Sequence, residues 1–206
     1  MGAKIITLTG IDGCGKSLQF EKLCQWFEKK GYSYASICFS PRKRENYSIY
    51  HEMKYRLLNE GIVMPADIRS IILAFDTYVQ ICTQLNPALD KYDYVITDRY
   101  IESTLLYLQG RGIDYYWPEQ ILKNSPEPDI YLYLQTDVET SLERIDKRTK
   151  KRQSHENYDT LKKIKSCFDN AINIYNFQCV DACNSEEEVF KDILKILCKK
   201  GIIDED

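Results

Sequence analysis

Several things are scarce in this chain, and each scarcity removes a class of function. No apolar run reaches the ~18 residues that a membrane-spanning helix needs, so no spanning segment is expected. Basic charge is not in excess: 28 Lys and Arg stand against 31 Asp and Glu, a net charge of −3, which argues against a nucleic-acid or membrane-surface binder. Histidine is rare, at two residues, and Cys179 and Cys183 have no histidine at zinc-ligand spacing. The eight cysteines include no CxxC pair, and Cys24, Cys38, Cys82 and Cys198 fall within apolar patterns. Buried free thiols in a reducing compartment are therefore expected. The opening MGAKIITLTG does not read as a secretory signal, so a cytoplasmic protein is expected. Internal repeats, low-complexity linkers and composition breaks are also missing, which fits one domain over residues 1–206.

What the chain does have is an alternation of short apolar runs and longer helix-period stretches, the pattern of parallel βαβ units. Strands are expected at Ile5–Thr9, Tyr34–Phe39, Tyr94–Thr97, Ile130–Leu134 and Phe177–Val180, apolar on both faces as in a buried parallel sheet. Ser17–Lys30 places Phe20, Leu23, Cys24 and Phe27 on one helical face and stops at Gly31. Ala66–Leu89 reads as one long apolar helix. Asp137–Arg148 and Glu186–Cys198 read as two more, the last with acids in its first turn and lysines at its end. The prediction is a doubly wound five-stranded parallel α/β sheet with ligands at the carboxyl ends of its strands. One stretch departs from the rest: DKRTKKRQSHEN is polar and densely basic, and reads as a lid at about 146–158.

Two motifs carry the chemistry. GIDGCGKS, Gly10–Ser17, matches GxxxxGK(S/T) between a strand and a helix, the phosphate-loop context. Its glycines let successive N–H groups turn toward phosphate oxygens, Lys16 adds a mobile charge, and Ser17 offers a hydroxyl to Mg²⁺. The second motif is the strand YVITD followed by Arg99: Asp98 suits a metal, and a guanidinium at the strand end clamps two phosphate oxygens in a fork. Phosphate loops serve switches, motors and kinases. A guanine-reading NKxD motif is missing, and 206 residues leave little room for a motor's additional domains. The basic segment suits a kinase, because transfer to a small acceptor needs a lid that excludes water.

On these residues the chain resembles thymidylate kinases nearly end to end. GIDGCGKS is similar to that family's phosphate loop, and DRYIESTLLY, Asp98–Tyr107, is similar to its DRYxxSxxAY signature. EPDIYLYLQTDVETSLERIDKR, Glu127–Arg148, resembles the family's fourth strand and the helix leading into its lid. The resemblance implies transfer of the γ-phosphoryl group of Mg-ATP to the 5′-phosphate of dTMP, a step of nucleotide biosynthesis, by an enzyme that is commonly a homodimer.

Carried over by position, Gly10, Asp12, Gly13, Cys14, Gly15, Lys16, Ser17 and Leu18 would form the ATP cradle, with Arg148 beside it. Ser17 and Asp98 would hold Mg²⁺. Arg99 would clamp the acceptor phosphate, with Arg56 as a second clamp, and Asp12 would face the acceptor sugar or a cation beside its phosphate. Pro41, Leu73, Thr77, Ser103, Thr104 and Tyr107 would line the acceptor site, Tyr107 disfavouring a ribose hydroxyl. The family supplies a catalytic arginine either from the phosphate loop or from the lid. Gly13 occupies the loop position, so the lid would supply it at Arg152, with Arg148 as the fallback.

Departures from the family gather in the pocket for the acceptor base. Leu73 and Thr77 stand where the family has a thymine-stacking Phe and a thymine-contacting Arg, with Phe75 and Tyr78 as other aromatic candidates. Other acceptors therefore stay open, a different deoxynucleotide or a deoxynucleoside, as does a module that binds nucleotide without catalysis.

Overall fold

The computed structural model describes residues 2–39, 49–148 and 156–204. Five parallel strands, β1 (Lys4–Thr9), β2 (Tyr34–Cys38), β3 (Tyr94–Asp98), β4 (Ile130–Gln135) and β5 (Gln178–Asp181), form one sheet in the order β2-β3-β1-β4-β5. Connections from β1 run to one side of the sheet and those after β3 to the other, so helices cover both faces and the switch in direction falls at β1. Alternate residues of the central strands divide between two cores. Ile6, Leu8 and Ile96 join the larger one, while Ile5 and Val95 join the smaller.

The middle strands are buried on both faces, as expected. The edges are not: β2 and β5 each bury a single residue, Ile37 and Val180. Helices cover the middle of the sheet and leave its rims to solvent, and β5 starts one residue later than expected, at Gln178 rather than Phe177. The thiols require a correction as well. All eight are free, but only Cys14 is buried, and Cys82, Cys179 and Cys183 are exposed.

Helix α1 (Lys16–Lys30) buries Leu23 and Phe27, each worth about 2 kcal/mol relative to exposure. It ends at Gly31, whose φ of 74° lets the Gly31 and Tyr32 amides close back on Glu28 and Phe27 at 3.0 Å. Helices α2 (Ile49–Asn59) and α3 (Ala66–Gln80) follow. The expected continuous helix over 66–89 is interrupted: after α3 the chain widens into a π-helical turn, Ile81–Leu85, before α4 (Asn86–Lys91). Pro87 accounts for this, since it has no N–H to donate and its ring would press on the carbonyl of Thr83 in an unbroken α-helix.

The remaining helices are α5 (Ile101–Gly110), α6 (Tyr116–Leu122), α7 (Val138–Asp146), α8 (Tyr158–Asn170) and α9 (Glu186–Lys199). Asp137 caps α7, Asn157 caps α8, and Ser185 with Glu188 forms a capping box on α9. Gly110 lets α5 press directly on α8: a Cβ there would lie 2.6 Å from the Ile164 Cα. Among the described residues no helix is long and apolar enough to cross a membrane.

Candidate active site

In the sheet register Leu8 lies beside Asp98 and Thr9 beside Tyr133, so the carboxyl ends of β1, β3 and β4 emerge at one edge. The segment 10–15 leaves β1 there and turns into α1. Three of its glycines, Gly10, Gly13 and Gly15, adopt φ of 139°, 85° and 97°, a region side chains resist. Two also make close approaches. A Cβ on Gly10 would sit 2.8 Å from the Leu134 carbonyl oxygen, and one on Gly13 would overlap the Ser141 carbonyl, 2.9 Å from its carbon. The phosphate loop is thus seated against both β4 and the backbone of α7. This gives a physical reason for the missing loop arginine: no side chain fits at position 13 while α7 occupies that place.

The Lys16 ammonium folds back onto its own loop, donating to the carbonyls of Gly10 at 2.9 Å and Ile11 at 2.6 Å, with the Cys14 sulfur at 3.4 Å. Burial, and then the charge of Arg99, lower its pKa, while Asp12 and Asp98 oppose the shift. Lys16 and Cys14 are buried; Ser17 and Leu18 follow on α1 and are half-buried.

Asp98, buried at the end of β3, lies 3.9 Å from the Cys38 sulfur through Oδ2. Arg99 next to it has φ of 68°, a left-handed backbone that costs a side-chain-bearing residue about 1 kcal/mol or more. Its amide donates to Leu8 at 2.9 Å, which ties the turn to β1. That conformation directs the guanidinium across to Asp12 on the phosphate loop, where Nη2 donates to Oδ1 in a close ion pair. The same guanidinium lies 4.8 Å over the ring of Tyr107 and donates to its hydroxyl at 3.5 Å. Burial works against the Arg99 charge, but Tyr107, Asp12 and Asp98 outweigh it and hold the pKa well above the usual value. Burial likewise pushes the Tyr107 hydroxyl far up, so it stays a neutral phenol.

The structure thus brings together Lys16, Asp12, Asp98, Arg99 and Tyr107. Ser103 is placed differently. It is buried and shares a hydrogen bond of 2.8 Å with Thr9 of β1, while its hydroxyl lies 3.3 Å from Glu102 Oε1. Thr104 is half-buried on α5. On α3, the Thr77 hydroxyl donates to the Leu73 carbonyl at 2.9 Å and Thr77 is buried, whereas Phe75 lies roughly opposite, Tyr78 about a quarter-turn away, and both are exposed. Arg56 extends into solvent from α2, its Nε donating to Glu52 at 2.8 Å. Pro41 and Arg152 lie outside the described residues.

Just past α7, Arg148 donates to Glu156 at 2.9 Å. That carboxylate is buried and belongs to the residue preceding the α8 cap, so the pair ties the end of α7 to the start of α8. On the far side of the phosphate loop, the turn after β5 is braced from three directions. Arg144 donates to the Ala182 carbonyl at 2.9 Å, the Ala182 amide donates to Gln135 at 2.7 Å, and Gln19 of α1 donates to the Glu186 carbonyl at 3.0 Å. Sequence reasoning named none of Glu102, Ser141, Arg144 or Gln19. Only Glu102 carried a signal, as an acid inside the DRYIESTLLY signature among apolar neighbours.

A parallel sheet with its phosphate loop between first strand and first helix, faced by an Asp-Arg strand end, defines the class as a phosphate-loop kinase fold. The family follows from comparison with known proteins. The sequence profile described as "Thymidylate kinase" matches residues 8–193, so the chain belongs to the thymidylate kinase family. It is 28% identical to a "Probable thymidylate kinase" of Thermococcus gammatolerans, over 93% of this chain and 94% of that protein. A "Probable thymidylate kinase" of Pyrococcus abyssi is 29% identical, with 96% and 97% covered. A "Thymidylate kinase" of Synechococcus sp. CC9605 reaches 35% identity over 70% of this chain and 72% of that protein.

Proposed function

We propose that the chain transfers the γ-phosphoryl group of ATP to the 5′-phosphate of dTMP, giving dTDP and ADP in the cytoplasm. An oxygen of the acceptor phosphate attacks the γ-phosphorus as the bond to the β–γ bridging oxygen breaks, so no strong base is required. What remains for the protein is placement and neutralisation of charge. The observation that carries the reading is the Arg99–Asp12 pair, which joins the strand end to the phosphate loop and sets a guanidinium beside Lys16.

In this scheme Lys16 leaves the Gly10 and Ile11 carbonyls for the β- and γ-phosphate oxygens, and the loop amides hold the rest. Arg99 clamps the acceptor phosphate, oriented by Asp12 and by the face of Tyr107. Ser17 and Asp98 supply a hydroxyl and a carboxylate, hard oxygen donors that suit Mg²⁺. Among the described residues no group of three or more His, Cys, Asp or Glu could hold a metal alone, so phosphates and water would complete its shell. When bound, Mg²⁺ neutralises phosphate charge as it develops. Residues 146–158 close as the lid, with Arg152 reaching the transferring group and the Arg148–Glu156 clamp fixing the hinge.

The second copy of a homodimer docks on α3 and α6. Ile68, Phe75 and Tyr78 form one exposed apolar stripe on α3, beside exposed Tyr116 and Trp117 on α6, which packs against it. Sedimentation of wild type against Phe75→Glu tests this, and a monomeric wild type would end it.

The test of the activity is consumption of Mg-ATP against a panel of nucleosides and nucleoside monophosphates, with Lys16→Ala as the blank. Turnover is expected with dTMP above all others. A panel without any turnover above the blank would sink the enzyme reading, and preference for another acceptor would move the assignment to that acceptor.

A further inference from the structure

Glu102 is fully buried in the first turn of α5, and no lysine or arginine pairs with it among the described residues. Its Oε1 accepts from the Ser103 hydroxyl at 3.3 Å, and its Oε2 has no hydrogen-bond partner among the described residues. Ser103 in turn shares a 2.8 Å hydrogen bond with Thr9. Thr9 ends β1, and the carbonyl of the next residue, Gly10, is one that Lys16 holds. The carboxyl therefore stands two hydroxyls behind the root of the phosphate loop.

That short chain runs in either direction. With Glu102 ionised, Ser103 donates to Oε1 and Thr9 donates to Ser103. With Glu102 neutral, its own O–H donates to Ser103, and Ser103 donates to Thr9. The groups that feel its charge are Tyr100 beside it, Tyr131 of β4 and Tyr175 after α8; Glu127, which accepts from Tyr131 at 3.4 Å, acts on the same tyrosines. Burial pushes the Glu102 pKa up to about 7, with the Thr9 and Ser103 hydroxyls pulling the other way. Both forms are thus populated near neutral pH.

We propose that Glu102 is a positioning residue that couples the phosphate loop's hold on ATP to one proton: the neutral acid accompanies bound triphosphate, and the carboxylate opposes it. The inference rests on the reading that this loop binds ATP. A triphosphate brings several negative charges to the loop, and a carboxylate in the dry interior behind it is poorly screened from them. Coupling is reciprocal, so bound nucleotide raises the proton affinity of Glu102 by the factor through which the proton favours nucleotide.

The test is titration calorimetry of a non-hydrolysable ATP analogue with Mg²⁺ into the full chain, in two buffers of different ionisation enthalpy, for wild type and Glu102→Gln. At pH 7 wild type is expected to take up roughly half a proton more than the variant. Between pH 6 and 8 its affinity should fall roughly fivefold more than that of the variant. Equal proton counts, or one pH-independent loss of affinity in the variant, would overturn the proposal. No binding at any pH would overturn it together with the ATP reading, whereas binding with matched pH dependence leaves that reading intact. Should Glu102→Gln fail to fold, Glu102→Leu takes its place. If that also fails, carbon-13 NMR of glutamate-labelled wild type decides: a carboxyl titrating near neutrality must move to higher pH when the analogue is added, and its absence overturns the proposal.

Discussion

The donor half of this site and the acceptor half proposed for it are built differently. The glycines of the phosphate loop are seated against main chain, Gly10 against Leu134 and Gly13 against Ser141, and the turn after β5 is held through its carbonyls by Arg144 and Gln19. On the acceptor side, the candidates on α2 and α3 depend on side chains that are satisfied locally, Arg56 by Glu52 and Thr77 by the Leu73 carbonyl. Triphosphate is the same in every reaction of such a fold and can be held by main chain. A base must be told from other bases, and that falls to side chains free to vary.

The largest effect should come from the residues that join the two halves. Arg99→Ala, which removes the Arg99–Asp12 ion pair, should lower kcat/KM for the acceptor by roughly a thousandfold or more, while ATP-analogue affinity changes far less. Equal losses on both substrates would break the division drawn above. Arg152→Ala should lower kcat by orders of magnitude with little change in acceptor KM, as expected for a cation acting on the transition state. Near-normal turnover would remove the lid arginine from the mechanism.

Gly13→Ala probes the seating of the loop on α7. The added carbon meets the Ser141 carbonyl, so stability should drop by about 1–3 kcal/mol in denaturant unfolding, and ATP affinity should fall with it. Glu102 should act on stability through pH. Its folded pKa, about 7, lies above the ordinary glutamate value, so its contribution is present below pH ~4.5 and is lost as pH rises through 7. Melting temperature from pH 5 to 8 should therefore decline more steeply in wild type than in Glu102→Gln, and parallel curves would contradict this. The smallest effect should be Thr77→Val. Because the hydroxyl serves the Leu73 carbonyl, acceptor KM should change less than about twofold; a large change in base preference would put Thr77 in the pocket after all.

Much of the donor half could be read directly. GIDGCGKS has fixed spacing between a buried strand and a helix with a glycine stop, and each of these is a local pattern. The five strands were placed within one or two residues for the same reason. Less was legible where position depends on packing from far along the chain. Ser103 is a pocket candidate by its motif, and the motif does not disclose the hydrogen bond to Thr9 that the register of β1 and the first turn of α5 bring about. The long apolar helix gave no sign of its π-turn beyond Pro87, and the exposed edge thiols depend on which strands lie at the rims.

By itself, then, the sequence determined the class of chemistry: short-range spacing places backbone amides, a lysine and an Asp-Arg strand end, and such spacing survives without knowledge of the fold. Tertiary structure alone decided that Arg99 meets Asp12 across 87 residues, that Gly13 bears the backbone of α7, and that Glu102 is sealed behind the phosphate loop. Contacts of that kind are made by strand order and helix docking, and burial fixes their electrostatics, so no window of sequence contains them.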